Sequence, residues 1–269
     1  MASLNVEIAH VTRTGGRRIN QDRAASLATG EAVLLALADG MGGTQRGEVA
    51  AEIALEAMLA AFRTAADPVV ADPAAFFHQA MEAAQHGILR YAREHGLWDP
   101  PGTTCVACLV QRDTAWWAHV GDSRCYLLRG GQILKRTRDH SLYQDLVDRG
   151  SIRADDGGFH PERGVLVSCL GGFEPPRIES APPVALAAGD VILLCSDGLW
   201  GQLPESELAP AMAEGPLASA LDELAKAAEH GGGRLSDNVT AIALRWLDGL
   251  ARPAAVAGAM PAAEPGDGL

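Results

Sequence analysis

Five aspartates that share one sequence context are the residues most able to do chemistry in this chain. Each stands at the end of a strand-like run, or directly before one, beside Gly, Ser or Asn. They are Asp22 in RRINQD, Asp39 in LALADGMGG, Asp122 in AHVGDSR, Asp197 in LLCSDGL and Asp237 in LSDNVTAI. An apolar strand can aim such a carboxylate into a cleft, and a small neighbour lets a carbonyl or a cation approach. Any one of them alone is more simply an ordinary turn, but five in the same context predict a shared site.

If these carboxylates converge, their mutual repulsion requires nearby cations. A ligand set made of oxygens, with no matching His or Cys set, favours Mg²⁺ or Mn²⁺ over zinc. Two such ions about 4 Å apart, bridged by Asp39, would lower the pKa of a shared water and hold it for in-line attack on phosphorus. The expected chemistry is hydrolysis without a covalent enzyme intermediate.

The phosphate of such a substrate also needs a cationic partner. Arg17, which precedes Asp22 in RRINQD, is a candidate for a bidentate contact, and Arg18 is its immediate rival. A solvated basic turn explains both arginines equally well at this point.

Length and charge limit the classes of protein that fit. The chain has 269 residues, enough for one sizeable core, and a formal net charge of −12. This charge argues against a general nucleic-acid binder, because phosphate-backbone binding depends on clustered Lys and Arg. No apolar run reaches the roughly 18 residues of a membrane span, and MASLNVEIAH lacks the features of a secretory signal. We therefore expect a cytoplasmic protein that binds neither nucleic acid nor membranes.

The cysteines do not indicate a metal or redox site. Cys105 and Cys108 form a C-x-x-C pattern inside the strand-like run TTCVACLVQ, where a period of two points them to opposite faces. No second Cys pair or His pair completes a zinc site. We predict that these residues are buried free thiols.

Short runs rich in β-branched or aliphatic residues predict strands at 4–11, 32–39, 103–110, 114–120, 124–129, 132–136, 190–195 and 238–246. Gly130-Gly131 suits a two-residue primed turn and so an antiparallel hairpin. Helices are predicted at about 47–63 and 217–230, along the apolar stripe from Phe77 to Tyr91, and at 141–149 behind the capping pattern Ser141-x-x-Gln144. Residues 249–269 are rich in Ala, Pro and Gly and are expected to form a disordered tail.

The order of the motifs resembles that of the metal-dependent Ser/Thr phosphatase family, protein phosphatase type 2C, and most closely its compact bacterial members. The motifs are RRINQD (17–22), DGMGG (39–43), GTT (102–104), VGDSR (120–124), DHS (139–141), CSDGL (195–199) and SDN (236–238). The resemblance extends from about residue 5 to 247. It implies an α+β fold, a four-layer α-β-β-α sandwich with two central, mainly antiparallel sheets, in a catalytic domain spanning 1–248.

The resemblance also implies roles for individual residues at a centre of two Mn²⁺ or Mg²⁺ ions. Asp39 would bridge both ions, and Gly40 would bind one through its carbonyl. Asp197 and Asp237 would complete the other, while Asp22 would act mainly through metal-bound water.

Two further residues extend this centre. Arg17 would hold the substrate phosphate. Asp122, together with Asp197, would match the weaker third-metal site of bacterial members.

Some positions differ from the family pattern or have open roles. Gln21 stands where related sequences often carry Glu. Met41 stands where the animal enzymes carry a His proposed as general acid, so a metal-bound water is the first choice as proton donor. His140 and His160 are alternatives, although surface or capping roles suit both better.

Residues 145–164 look like the mobile flap that borders the active site in the family. Ser168, just beyond it, could contact the flap or a metal-bound water, or it could be a small buried strand residue.

Three functions stay open at this point. The first is an active phosphatase for phosphoserine and phosphothreonine proteins, opposing a bacterial Ser/Thr kinase and expected to be a monomer. The second is a catalytically silent, phosphoprotein-binding relative, against which the complete ligand set counts. The third is a metal-dependent hydrolase of small phosphomonoesters.

Overall fold

Short aliphatic runs pair into two antiparallel sheets at the centre of the protein. A computed structural model describes residues 3–41, 46–153 and 161–251. The strands are β1 (Ser3–Arg13), β2 (Asp22–Ala28), β3 (Ala32–Met41), β4 (Gly102–Thr103), β5 (Cys105–Gln111), β6 (Thr114–Val120), β7 (Arg124–Arg129), β8 (Gln132–Arg136), β9 (Glu179–Ser180), β10 (Val184–Ala185), β11 (Val191–Cys195) and β12 (Val239–Ala251). The helices are α1 (Gly47–Ala65), α2 (Pro73–Glu94), α3 (Leu142–Asp148), α4 (Asp197–Trp200), α5 (Glu205–Ala211) and α6 (Leu217–Gly232).

The first sheet has the strand order β1-β12-β11-β7-β8, and the second has the order β10-β6-β5-β3-β2. In the second sheet, β4 also pairs with β3 and β9 with β6. Each of these pairings is antiparallel. Gly130 and Gly131 have φ values of 55° and 73° between β7 and β8, which confirms the primed hairpin turn.

Alternating side chains on each strand build a sandwich of four layers. In β3, Leu34 and Ala36 pack against α1 and α2, whereas Leu35 and Leu37 lie between the two sheets. The first sheet buries its outer face against α4, α5 and α6, through residues such as Leu193. This arrangement confirms the α+β, α-β-β-α prediction.

The cysteines follow the same alternation. Cys105 belongs to the core between the second sheet and its helices, and Cys108 lies between the sheets. All five cysteines are free thiols, and only Cys169 is not fully buried. The prediction of buried thiols rather than a C-x-x-C site is therefore confirmed for this pair.

Helices α2 and α3 each begin at a side-chain cap, as local chemistry predicts. Asp72 accepts a hydrogen bond from the Ala75 amide at 3.0 Å and caps α2, which has Pro73 at its first position. In α3, Ser141 Oγ likewise accepts from the Gln144 amide at 3.2 Å. No helix among the described residues combines the length and the apolar character needed to cross a bilayer.

Several elements differ from the sequence expectations, and two of them border the domain or the candidate site. Strand β2 has the sequence DRAASLA and lies half-buried along most of its length, so it carries little of the apolar alternation that marks a strand. Strand β12 continues to Ala251, past the domain end predicted at 248. The remainder of the predicted tail, from 252 onward, lies outside the described residues.

Candidate active site

Pairing between β2 and β3 brings two of the aspartates together. Asp22, the first residue of β2, is the cross-strand partner of Asp39, near the end of β3. The Asp39 amide donates to Thr104 Oγ1 at 3.0 Å, and Thr103 Oγ1 donates to the Asp39 carbonyl at 2.9 Å. The backbone of Asp39 is therefore held on one side by the pairing with β2 and on the other by Thr103 and Thr104.

Gly40 occupies a place where only a glycine fits. A Cβ atom there would lie 2.2 Å from the carbonyl oxygen of Gly47, which begins α1. The Gly40 amide also donates to the carbonyl of Gln21 at 3.2 Å. The backbone of Gly40 therefore packs closely against the backbone of Gly47 and of Gln21, next to Asp39.

The first sheet contributes Asp197 and Asp237. Asp197 begins α4, two residues after the end of β11, and Asp237 stands two residues before the start of β12, which pairs antiparallel with β11. Ser196 Oγ donates to Asp22 Oδ2 at 2.8 Å and accepts from the Thr240 amide at 3.1 Å. This hydroxyl therefore joins the Asp22 carboxylate of one sheet to the β11–β12 pair of the other.

Arg17 is placed by a loop that Asn238 holds. Asn238 Oδ1 accepts from the Gln21 amide at 2.8 Å, and its Nδ2 donates to the carbonyls of Thr14 and Ile19 at 2.8 and 3.1 Å. Arg17 then donates to Asp237 Oδ2 at 2.6 Å, while 58% of its side chain stays exposed.

These residues surround a cleft of about 340 Å³. Its lining is Arg17, Gln21, Asp39, Gly40, Met41, Thr104, Asp122, Gly164, Leu166, Cys169, Asp197, Asp237 and Asn238. Four of the five aspartates line it, and Asp22 lies behind Asp39 with 3% exposure. The rival Arg18 is exposed and does not line the cleft.

The carboxylates raise one another's pKa values. Removal from water raises the pKa of Asp39 well above its ordinary value, and the charges of Asp22 and Asp197 raise it further. Burial, followed by the charge of Asp237, raises the pKa of Asp197 to about 6. Burial and the charge of Asp197 likewise raise the pKa of Asp122 well above its ordinary value. The cleft therefore concentrates negative charge that a cation would stabilise.

The donor set fits hard divalent cations. Asp22 Oδ1 is buried and accepts no hydrogen bond within the described part of the chain. Carboxylate and carbonyl oxygens are the ligands that Mg²⁺ and Mn²⁺ prefer. Across residues 3–41, 46–153 and 161–251, no three His, Cys, Asp or Glu side chains are already arranged around one point as a finished metal site. One Asp237 oxygen accepts a hydrogen bond from Arg17.

Neither His140 nor Ser168 lines the cleft. His140 is 1% exposed, and its Nδ1 accepts from the Gly121 amide at 3.2 Å. Burial, and then the charge of His119, whose ring stacks on it, lowers the pKa of His140 to about 4. Ser168 is half-buried outside a strand and accepts from the Arg177 amide at 2.8 Å, whereas His160 lies outside the described residues.

The flap prediction falls partly on described residues. Residues 145–153 include the end of α3, and 161–164 form a short 3₁₀ turn. Gly164 and Leu166 reach the cleft, while 154–160 are not described.

Sequence reasoning gave no role to Ser196, Thr104 or Asn238, which orient the candidate ligands. Ser196 and Asn238 each stand next to a singled-out aspartate, within CSDGL and SDN. Their position beside these aspartates was the only feature of the sequence that could have indicated a role. Their bonds to distant backbone and carboxylate groups depend on the tertiary fold.

Comparison with known proteins agrees with this geometry. A sequence model of the family described as protein phosphatase 2C matches residues 13–239. The serine/threonine protein phosphatase PstP of Mycobacterium tuberculosis is 32% identical over 249 residues, which are 92% of this chain and 47% of PstP. The chain thus spans about half the length of that relative.

Solved structures show the same fold. Serine/threonine phosphatase Stp1 from Staphylococcus aureus has a TM-score of 0.82 at 29% identity, covering 92% of this chain and 97% of that one. The catalytic domain of PstP in complex with 2 manganese ions has a TM-score of 0.77 at 30% identity, covering 91% of this chain and 100% of that one. The chain belongs to the protein phosphatase 2C family of metal-dependent Ser/Thr phosphatases and is similar to its bacterial members.

Proposed function

We propose that the chain hydrolyses phosphoserine and phosphothreonine in proteins at a centre of two Mn²⁺ or Mg²⁺ ions. The observation that carries this proposal is the single cleft in which Asp39, Asp197 and Asp237 lie together with Arg17 at one side. These three carboxylates and the Gly40 carbonyl would hold the two ions. Asp22 would act mainly through metal-bound water, and Asp122 with Asp197 would hold a third, more weakly bound ion.

The ions, when bound, would lower the pKa of a water and offset the charge that develops on the phosphoryl group. The chain itself supplies rigid placement, because Asp39 is fixed through its backbone by Thr103 and Thr104. Arg17 is well exposed beside the cleft and can turn from Asp237 to grip two phosphate oxygens.

The rim of the cleft suits a polypeptide better than a small phosphomonoester. Ile19, near Arg17 in the loop, is 54% exposed, and Val165 and Val167, on either side of Leu166, are 48% and 45% exposed. Exposed apolar side chains around a polar cleft are typical of a surface that contacts a protein partner. The phosphoproteins would be products of a bacterial Ser/Thr kinase, which this enzyme would oppose.

The leaving Ser or Thr oxygen needs a proton. Met41 lines the cleft, and the described lining residues include no His. His140 does not line the cleft, its Nδ1 accepts from the Gly121 amide, and burial lowers its pKa to about 4, so it is poorly suited to donate this proton. We infer that water in the cleft donates this proton.

The test compares a phosphothreonine peptide with sugar phosphates and nucleotides in the presence of Mn²⁺. Wild-type protein should prefer the peptide, and Asp39→Asn should lose at least about a hundredfold in kcat/KM. Asp113→Asn, in the exposed β5–β6 turn, is the matched control and should keep the wild-type rate. A wild-type rate in Asp39→Asn would refute the metal centre, and a preference for the small phosphomonoesters would refute the assigned substrate.

A further inference from the structure

The indole of Trp200 ties together the two segments that carry Asp122 and Asp197. Trp200 ends the short helix α4 that Asp197 begins. Its Nε1 donates to the backbone carbonyl of Asp122 at 3.0 Å, and both residues are almost fully buried. Asp122 lies in the turn by which the chain crosses from β6 in the second sheet to β7 in the first. The bond therefore joins that crossing turn to the end of β11.

Arg124 fixes the plane of this indole. Its guanidinium carbon lies 3.6 Å from the centroid of the Trp200 ring. The same guanidinium makes two hydrogen bonds to Asp139, at 2.8 and 2.7 Å, and a third to the Tyr126 hydroxyl at 2.9 Å. Arg124 and Asp139 are 11% and 6% exposed. A buried, bidentate arginine has little freedom left, so the ring stacked on it is also immobile.

The opposite side of the turn is held independently. The Gly121 amide donates to His140 Nδ1 at 3.2 Å, and the His140 amide donates to the Gly121 carbonyl at 2.9 Å. Ser123 is bonded to Thr104 through their hydroxyls at 2.7 Å. The hydrogen bond from Trp200 to the Asp122 carbonyl then connects this turn to the helix that Asp197 begins.

We propose that Trp200, held by Arg124, is a positioning residue that sets the separation of Asp122 and Asp197 for a third divalent cation. This inference rests on the proposed function. The indole bonds the backbone carbonyl of Asp122 and does not occupy its carboxylate. Two carboxylates that repel each other keep a useful spacing only if their supports are rigid, and outer partners of metal ligands commonly change affinity by about 10- to 100-fold.

The test is calorimetric titration of the chelator-treated protein with Mn²⁺, which counts ions and measures each affinity without relying on activity. Trp200→Phe keeps a ring for Arg124 but loses the donor, so the weakest site should lose about tenfold in affinity while the tighter sites stay unchanged. Trp246→Phe, seven residues along β12 from its start and 3% exposed, is the matched control and should leave the isotherm unchanged.

A double-mutant cycle separates positioning from general stability. In an Asp122→Asn background, Trp200→Phe should cause no further loss of Mn²⁺ affinity, because the ligand it positions is gone. Its effect on the melting temperature should persist, since the acceptor is a backbone carbonyl. A purely structural Trp200 would lower the melting temperature in both backgrounds and leave every affinity unchanged. Should Trp200→Phe fail to fold, Arg124→Lys, which weakens the support of the indole, takes its place in the same cycle with Asp122→Asn.

An unchanged weakest affinity in Trp200→Phe would overturn the inference, and so would a wild-type isotherm with only two ions. In both cases hydrolysis of the phosphothreonine peptide would continue, and the proposed hydrolysis at a two-ion centre would stand. Absence of both Mn²⁺ binding and hydrolysis in the wild type would instead refute the proposed function.

Discussion

Replacing Asp197 by Asn should stabilise the metal-free protein at neutral pH, although it removes a candidate ligand. Burial, then the charges of Asp237 and Asp22, raise the pKa of Asp197 from 3.8 to about 6. Near pH 7 the folded protein therefore holds this carboxylate ionised in surroundings that disfavour the charge. Asn is similar in shape and carries no charge to repel its neighbours.

The size of the effect follows from the pKa difference. A rise from 3.8 to about 6 corresponds to about 3 kcal/mol as an upper value. Between these two pH values the folded state binds more protons than the unfolded state, so the stability of the metal-free protein falls as pH rises through this window. Below about pH 4 the carboxyl is protonated in both states, and the advantage of Asn disappears. For a chain of this length, 3 kcal/mol corresponds to roughly 6–12 °C in melting temperature.

The measurement is thermal unfolding in EDTA from about pH 4 to 8, with Asp113→Asn as an exposed control. Asp197→Asn should melt above wild type near pH 7.5, the gap should close near pH 4, and saturating Mn²⁺ should favour wild type. A variant that melts at or below wild type near pH 7.5 in EDTA would refute the reasoning, as would a gap that does not depend on pH.

Two other substitutions test single contacts. Gly40→Ala should lower the free energy of unfolding by about 1–3 kcal/mol, because its Cβ would lie 2.2 Å from the Gly47 carbonyl oxygen. Gly164→Ala, with no atom within 4 Å of the new Cβ, should melt like wild type, and equal melting of both variants would contradict the steric argument. Arg17→Lys should raise KM for the phosphothreonine peptide about tenfold with a smaller change in kcat, since it keeps the charge and loses the bidentate fork. Arg18→Lys should leave both constants unchanged, and an equal effect at both positions would refute the assignment of Arg17.

Local pattern was enough to predict much of the fold. The Gly130-Gly131 turn, the α2 stripe and the opposite facing of Cys105 and Cys108 depend only on strand and helix period and on turn chemistry. Strand β2 was missed because its small and polar residues lack that pattern. It becomes a strand by pairing along β3 from Asp22 to Ala28, a tertiary effect that a local window does not contain.

The residues of the candidate site could likewise be predicted only in part from the sequence. The aspartates could be singled out because each stands beside a strand and a small residue, which is local information. His140 could not be placed, because its role depends on Gly121 across the fold, and the structure puts its ring behind the turn rather than in the cleft. Trp200 had no sequence signal, since its partner Asp122 is far away in the chain. The metal roles of the aspartates stay predictions.

Strand direction explains why aspartates at opposite ends of their strands meet in one place. Strands β3, β6 and β11 end at the cleft. Asp39 lies near the end of β3, whereas Asp122 and Asp197 each stand two residues after the end of β6 and β11. Strands β2 and β12 run the other way and begin there, so Asp22 is the first residue of β2 and Asp237 stands two residues before β12. Antiparallel pairing of β2 with β3 and of β11 with β12 brings these ends to the same edge of each sheet. A shift of one residue in either pairing would turn a carboxylate to the opposite face, so the register of the strands determines the composition of the cleft.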